Sequence, residues 1–146
     1  LELTVKPKAH SAVSASQFVS VTLYLWGRGE RSLVQMDPQV WHKIAAISGV
    51  AAIGLGTYGA HVFKPQNPTY KEVWNTASLY HLVHTAALVA APVAKNPNVF
   101  GGLLTTGILA FSGSCYAAAF YEDRNHAKFA PYGGFAFMAA WGSLLF

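Results

Sequence analysis

The sequence predicts an all-α fold: an integral membrane, antiparallel four-helix bundle with short loops. Three observations predict it. Long stretches carry no charge, turn-forming links separate them, and small residues repeat within them at helical spacing. The chain has 146 residues, of which 53% are hydrophobic and only 11% charged. Soluble domains carry about 25% charged residues, so the shortfall itself points to lipid.

The charge-free runs are the strongest evidence. Twenty residues without Asp, Glu, Lys or Arg separate Lys43 from Lys64, and 22 separate Glu72 from Lys95. A further 26 separate Lys95 from Glu122, and the 18 residues from Phe129 to Phe146 are also free of charge. A helix needs about 20 apolar residues to cross a hydrocarbon core of about 30 Å. Four soluble core helices of this kind would need much more chain to cover them. In lipid, every backbone N–H and C=O must be paired within its own segment or within a closed barrel. These runs are too long for barrel strands and do not alternate. Helices are therefore predicted near 41–63, 70–94, 99–121 and 130–146.

The links read as turns. Lys64-Pro65-Gln66-Asn67-Pro68 stops the first helix. Thr69 and Glu72 have the spacing of a capping box for the second. Pro92 and Lys95-Asn96-Pro97-Asn98 turn the chain back. The most charged stretch, Glu122 to His126, is expected in water. Pro131 stands where a first-turn proline is tolerated and opens the fourth helix. Links this short make successive helices antiparallel neighbours.

Residues 1–35 differ in character, and residues 36–146 are predicted to form the four-helix domain. The first segment is rich in Ser, and Val19 to Leu25 alternates with period two, a strand pattern with no sheet to join. It reads as a tail outside the fold: an organelle presequence, a signal-like segment or an upstream translated segment, the last favoured because Met36-Asp37-Pro38 looks like a natural start. No stable contact between Phe18, Leu23 or Trp26 and the bundle is expected.

Within membranes, helices associate through close packing of small residues. The third run offers Gly102, Thr106, Ala110, Ser114 and Ala118, spaced every four residues. The first offers Ala45, Gly49, Ala52, Gly56 and Ala60, and the fourth Gly133, Gly134, Ala136 and Ala140. Each set is predicted to face other helices, with Leu103 and Phe111 turned away.

Several motifs occur in order. They are Ile47-Ser48-Gly49, Tyr58-Gly59-Ala60-His61, Tyr80-His81-Leu82-Val83-His84, Phe111 through Tyr116, and Ala130-Pro131-Tyr132-Gly133-Gly134. On these the chain resembles the transmembrane protein 256 family, also called domain of unknown function 423, over about residues 36–146. The resemblance implies a multi-pass membrane protein, with no catalytic residue to carry over.

Ionisable residues inside a span are functional candidates by default. His61, His81 and His84 are these, with Tyr58 and Ser78 completing a candidate polar cluster. Asn75, Tyr80, Thr85, Tyr116 and Tyr121 add hydrogen-bonding capacity. His81 and His84 are spaced to share one face of the second helix. His61 and His81 are expected to approach each other, and His84 to face the third helix.

A net charge of +4 spread thinly, with no basic run, sets nucleic acid aside. Cys115 is the sole cysteine, so neither an intrachain disulfide nor a Cys-based metal site is expected. No nucleophile with a base and orienting carboxylate is visible, and no enzyme, metal or cofactor is expected. The first reading is a structural or accessory membrane component, with histidines as interhelical hydrogen-bond partners. The alternatives are passage of a small solute or proton along the histidines, or a metal or haem site on imidazole nitrogen. The expected partners are the lipid bilayer and other membrane proteins or a second copy, in an organellar inner membrane or the plasma membrane.

Overall fold

Proline stands at the first or second position of each of the four helices. Its fixed φ suits the first turn, where its missing N–H would have no acceptor anyway. A computed structural model describes residues 37–146. The expectations for residues 1–35, including those for Phe18, Leu23 and Trp26, lie outside the described residues. Four helices follow in order: α1 Pro38–His61, α2 Pro68–Val89, α3 Pro97–Tyr121 and α4 Ala130–Gly142. Among the described residues there is no strand. The fold is an all-α antiparallel bundle.

The helix ends explain the boundaries. Asp37 caps α1 by accepting from the Gln39 N–H at 2.9 Å. At the other end, the Val62 and Phe63 N–H groups both donate to the Tyr58 carbonyl at 2.9 Å. Lys71 Nζ then donates to the carbonyls of Gly59 and Phe63, placing a cation at the negative end of α1. α2 begins one residue pair earlier than the proposed capping box. Asn67, not Thr69, is the cap, and its side chain accepts from the Thr69 N–H at 3.0 Å. α2 ends at Val89, because Pro92 supports only a short 3-10 turn, Ala91–Val93. α3 ends at Tyr121 and is capped by Glu122, whose φ of 51° is left-handed. A 3-10 turn, Arg124–Phe129, leads into α4, and another, Ser143–Leu145, follows it.

Packing follows chain order: α1 lies on α2, α2 on α3, and α3 on α4. Two cores sit at opposite ends. The first joins Trp41 and Ala45 of α1, Leu88 of α2, Phe100, Leu104 and Ile108 of α3, and Phe137 and Ala140 of α4. The second joins Phe63, Trp74, Ala77, Cys115, Tyr116 and Ala119. Phe111 packs against both. It lies in a π-helical turn, Ile108–Gly113, that interrupts α3 between the two cores.

The close contacts are mostly aromatic rings set into glycine notches. A Cβ at Gly59 would collide with the Trp74 indole, at Gly101 with Trp41, and at Gly107 with Phe137. At Gly133 it would strike the Phe111 backbone itself. Of the proposed seam, Gly49 faces Thr85, whose methyl lies 3.7 Å from the position of a Gly49 Cβ, while Ala45, Ala52, Ala118, Gly133 and Ala140 are buried. The rest is corrected. Thr106 and Ala60 are exposed, Ala110, Ser114 and Ala136 are half-buried, and a Cβ at Gly56, Gly102 or Gly134 would meet open space. Leu103 and Phe111 pack inward instead. For the α3 set the reason is periodicity. A helix turns about 100° per residue, so a strict four-residue stripe drifts about 40° per step. It leaves the contact face within two or three steps.

Two of the helices, α1 and α3, are long and apolar enough to cross a membrane by length and composition. α2 carries Lys71 and Glu72 in its first turns, and α4 has 13 residues.

Candidate functional site: a polar seam beside a lateral cleft

α2 is the central element, and its polar side chains point to both neighbours. Towards α1, Ser48 Oγ lies 3.1 Å from His81 Nε2 and 2.6 Å from Thr85 Oγ1. Ser48 stands near the middle of α1, and Gly49 beside it lets the Thr85 methyl approach. Towards α3, Tyr116 Oη donates to Ser78 Oγ at 3.1 Å, and the Tyr116 ring stands edge-on to His81 with centroids 6.0 Å apart. Nearer the loop of residues 62–67, Trp74 Nε1 donates to the Leu55 carbonyl at 3.0 Å.

His84 faces the other way. Its ring stacks on Phe137 of α4 at 3.5 Å between centroids. Nδ1 lies 2.7 Å from the Tyr80 carbonyl, which can only accept, so Nδ1 carries the proton. That leaves Nε2 to accept from Trp141 Nε1, at a long 3.4 Å.

Four site expectations are corrected. His61 does not meet His81. It is exposed at the end of α1, roughly 20 Å along the helix from Ser48, the residue that His81 does reach. The mismatch in depth outweighs the lean of the side chains. His84 faces α4 rather than α3. His81 and His84 are both buried, yet they diverge, because three residues place them about 60° apart around the axis. Tyr58 also stands outside the cluster, packing on Phe63 and Trp74 with centroids at 6.3 and 5.4 Å. Ser78 is the fifth named candidate, and it does join His81, through Tyr116. Ser48 was missed as a partner, although it lies in the first ordered motif. A hydroxyl in an apolar run was the available signal.

A cleft of about 390 Å³ opens beside this seam. Ile44, Ile47, Ser48, Ala51 and Leu55 of α1 form one wall, and Thr105, Ile108, Leu109, Ser112, Gly113 and Tyr116 of α3 the other. His81 and Leu88 of α2 form the floor. Trp41 against Gly101 bridges α1 to α3 at one end. The cluster of Leu55, Phe63 and Tyr116 closes the other. Sideways the cleft is open: Ile47 and Leu109 at its rim are 74% and 70% exposed. Two of its residues carry buried polar atoms without a partner among the described residues, His81 Nδ1 and Ser112 Oγ. Ser112 is only 1% exposed.

Comparison with known proteins places this arrangement. The chain is 34% identical to the UPF0382 membrane protein YwdK of Bacillus subtilis over 111 residues, covering 70% of this chain and 90% of that protein. It is 30% identical to a UPF0382 membrane protein of Schizosaccharomyces pombe over 116 residues, covering 73% and 98%. A UPF0382 membrane protein of Staphylococcus saprophyticus is 33% identical over 109 residues, covering 70% and 91%. No solved structure matches the chain. Residues 55–134 match the family described as "Protein of unknown function (DUF423)", and the chain is a membrane protein that belongs to this family.

Proposed function

We propose that the protein is a multi-pass membrane component with four crossings and a structural or accessory role rather than a catalytic one. The observation that carries this reading is the division of its surface. Each helix turns large apolar side chains outward: Ile47, Val50 and Ile53 on α1, Leu79 and Leu82 on α2, Leu109 on α3, Phe135 and Met138 on α4. Polar side chains within the helices are instead used in bonds between helices, as in Ser48–His81 and Tyr116–Ser78. An apolar coat around a bundle that bonds polar side chains between its helices suits lipid and is a poor match to water. The same outward face leaves room for other membrane proteins or a second copy.

The topology is tested by single cysteines placed in a Cys115→Ala background and probed with a membrane-impermeant thiol reagent. Gln66→Cys and Asn125→Cys are expected to label from one side and Lys95→Cys from the other. Labelling of all three from the same side would overturn four crossings. The structural role is tested by His81→Leu, which is expected to lower bundle stability.

A further inference from the structure

The small residues of α3 that face no other helix line a groove of their own. About 630 Å³ lies between α3 and the 3-10 turn Arg124–Phe129. Thr106, Leu109, Ala110, Gly113 and Ser114 line it on α3, and Asn125, His126 and Phe129 line it on the turn. A Cβ at Gly113 would meet nothing within 4 Å, so nothing in the described chain fills the space that this glycine leaves. The Ser114 hydroxyl is used by the Ala110 and Phe111 carbonyls of its own helix and presents no free donor to the groove. The groove also spans depth. Phe120, Tyr121, Phe129 and Tyr132 are exposed around its loop end, and exposed aromatic residues at helix ends favour the headgroup level of a bilayer. Thr106, at the other end, lies roughly 22 Å along the helix from Tyr121, at hydrocarbon depth.

The mouth of the groove is cationic. A 3-10 helix repeats every three residues, so Lys128 rises from the same side of the turn as Asn125. Lys128 is exposed, and no carboxylate among the described residues pairs with it or with Arg124. The two acids beside this turn are already engaged. Glu122 accepts from the Gln66 and Asn67 N–H groups. Asp123 accepts from the Asn125 N–H and lies 3.7 Å from His126 Nδ1. An apolar floor at hydrocarbon depth suits an acyl chain. Unpaired cations at headgroup depth suit a phosphate that brings no cation of its own. We propose that the groove seats one anionic phospholipid, with its phosphate accepting from the Lys128 ammonium and the Asn125 side-chain amide, and one acyl chain lying along α3 over Ser114, Gly113, Ala110 and Thr106.

This proposal rests on the reading of the outer face as lipid-covered, but its test does not depend on topology. The full chain in neutral detergent micelles is titrated with dioleoyl phosphatidylglycerol and with dioleoyl phosphatidylcholine, which share their chains and differ in headgroup charge. Native mass spectrometry counts bound lipid, and the unfolding temperature reports stabilisation. Phosphatidylglycerol is expected to bind saturably, one molecule per chain, and at least about fivefold tighter than phosphatidylcholine, the effect of one ammonium near a phosphate. Lys128→Gln is expected to cut that preference to about twofold or less. Lys64 is an exposed cation on the neighbouring loop that does not line the groove, and Lys64→Gln is expected to leave the preference unchanged. Ala110→Phe should fill the groove and weaken both lipids at least about threefold, and Thr106→Phe serves if that variant does not fold. Equal affinity for the two lipids, or equal losses in Lys64→Gln and Lys128→Gln, would overturn the proposal and leave only a diffuse charge at the bundle end. Unchanged binding in the groove variants would overturn the acyl-chain seat. Absence of saturable lipid binding, with a dimer that Ala110→Phe splits, would also overturn it and place a helix of a second copy in the groove.

Discussion

The Glu122 carboxylate reaches across the bundle end to the loop that precedes α2. Oε1 accepts from the Gln66 N–H at 2.8 Å and Oε2 from the Asn67 N–H at 3.1 Å. Asn67 is the cap of α2, so an anion sits where the positive end of that helix dipole lies. Glu122 holds this position from a left-handed backbone. Glu122→Ala is expected to cost about 1–2 kcal/mol, as two charge-assisted bonds in partial contact with water would. Glu122→Gly should cost less than Glu122→Ala, since glycine relaxes the backbone. Thermal unfolding in micelles checks both.

Gly133 and Gly134 form an internal control. A Cβ at Gly133 strikes the Phe111 backbone, which cannot swing aside, whereas one at Gly134 meets open space. Gly133→Ala is expected to destabilise by about 1–3 kcal/mol. Gly134→Ala should be neutral or stabilise by up to about 1 kcal/mol through helix propensity. Equal effects in a denaturation series would contradict the packing described.

The histidines should separate cleanly. His81→Leu removes the hydrogen-bond partner of the Ser48 hydroxyl and is expected to cost about 1–2 kcal/mol. His61→Leu, at an exposed site, should stay within about 0.5 kcal/mol. Unfolding midpoints for the two variants measure the difference.

Gly59 and Trp74 should behave as one unit. The indole fills the notch that Gly59 leaves and donates to the Leu55 carbonyl. Gly59→Ala should therefore cost much less in a Trp74→Leu background than alone. A double-mutant cycle is expected to give a coupling of at least about 1 kcal/mol. Additive losses would mean that the two residues do not share this contact.

Helix position was legible in the sequence, and helix rotation was only half legible. Charges lie at or near the helix ends, so the gaps between Lys43, Lys64, Glu72, Lys95 and Glu122 locate the elements. The α1 stripe of Ala45, Gly49, Ala52, Gly56 and Ala60 alternates fours and threes; Ala45 and Ala52 are buried and Gly49 faces Thr85 of α2, but Gly56 and Ala60 leave the contact face. The α3 stripe repeats in strict fours, and it failed at Gly102 and Thr106. The notches at Gly59, Gly101 and Gly107 were missed because each depends on a ring from another helix, which no local spacing encodes. The pairing of His81 with Ser48 was hidden for a similar reason. It depends on the depth at which two antiparallel helices pass, and the count favouring His61 discounted that depth.

The π turn in α3 carries one residue more than an α-helix of the same length would need. Were the same residues wound as uninterrupted α-helix with none removed, everything from Ser114 to Tyr121 would swivel by about 100° and slide by about 1.5 Å relative to the first half. Cys115, Tyr116 and Ala119 would turn out of one core while Phe100 and Leu104 stayed in the other. The spare residue thus works as a phase adjuster, letting one helix serve two cores that no single register could satisfy.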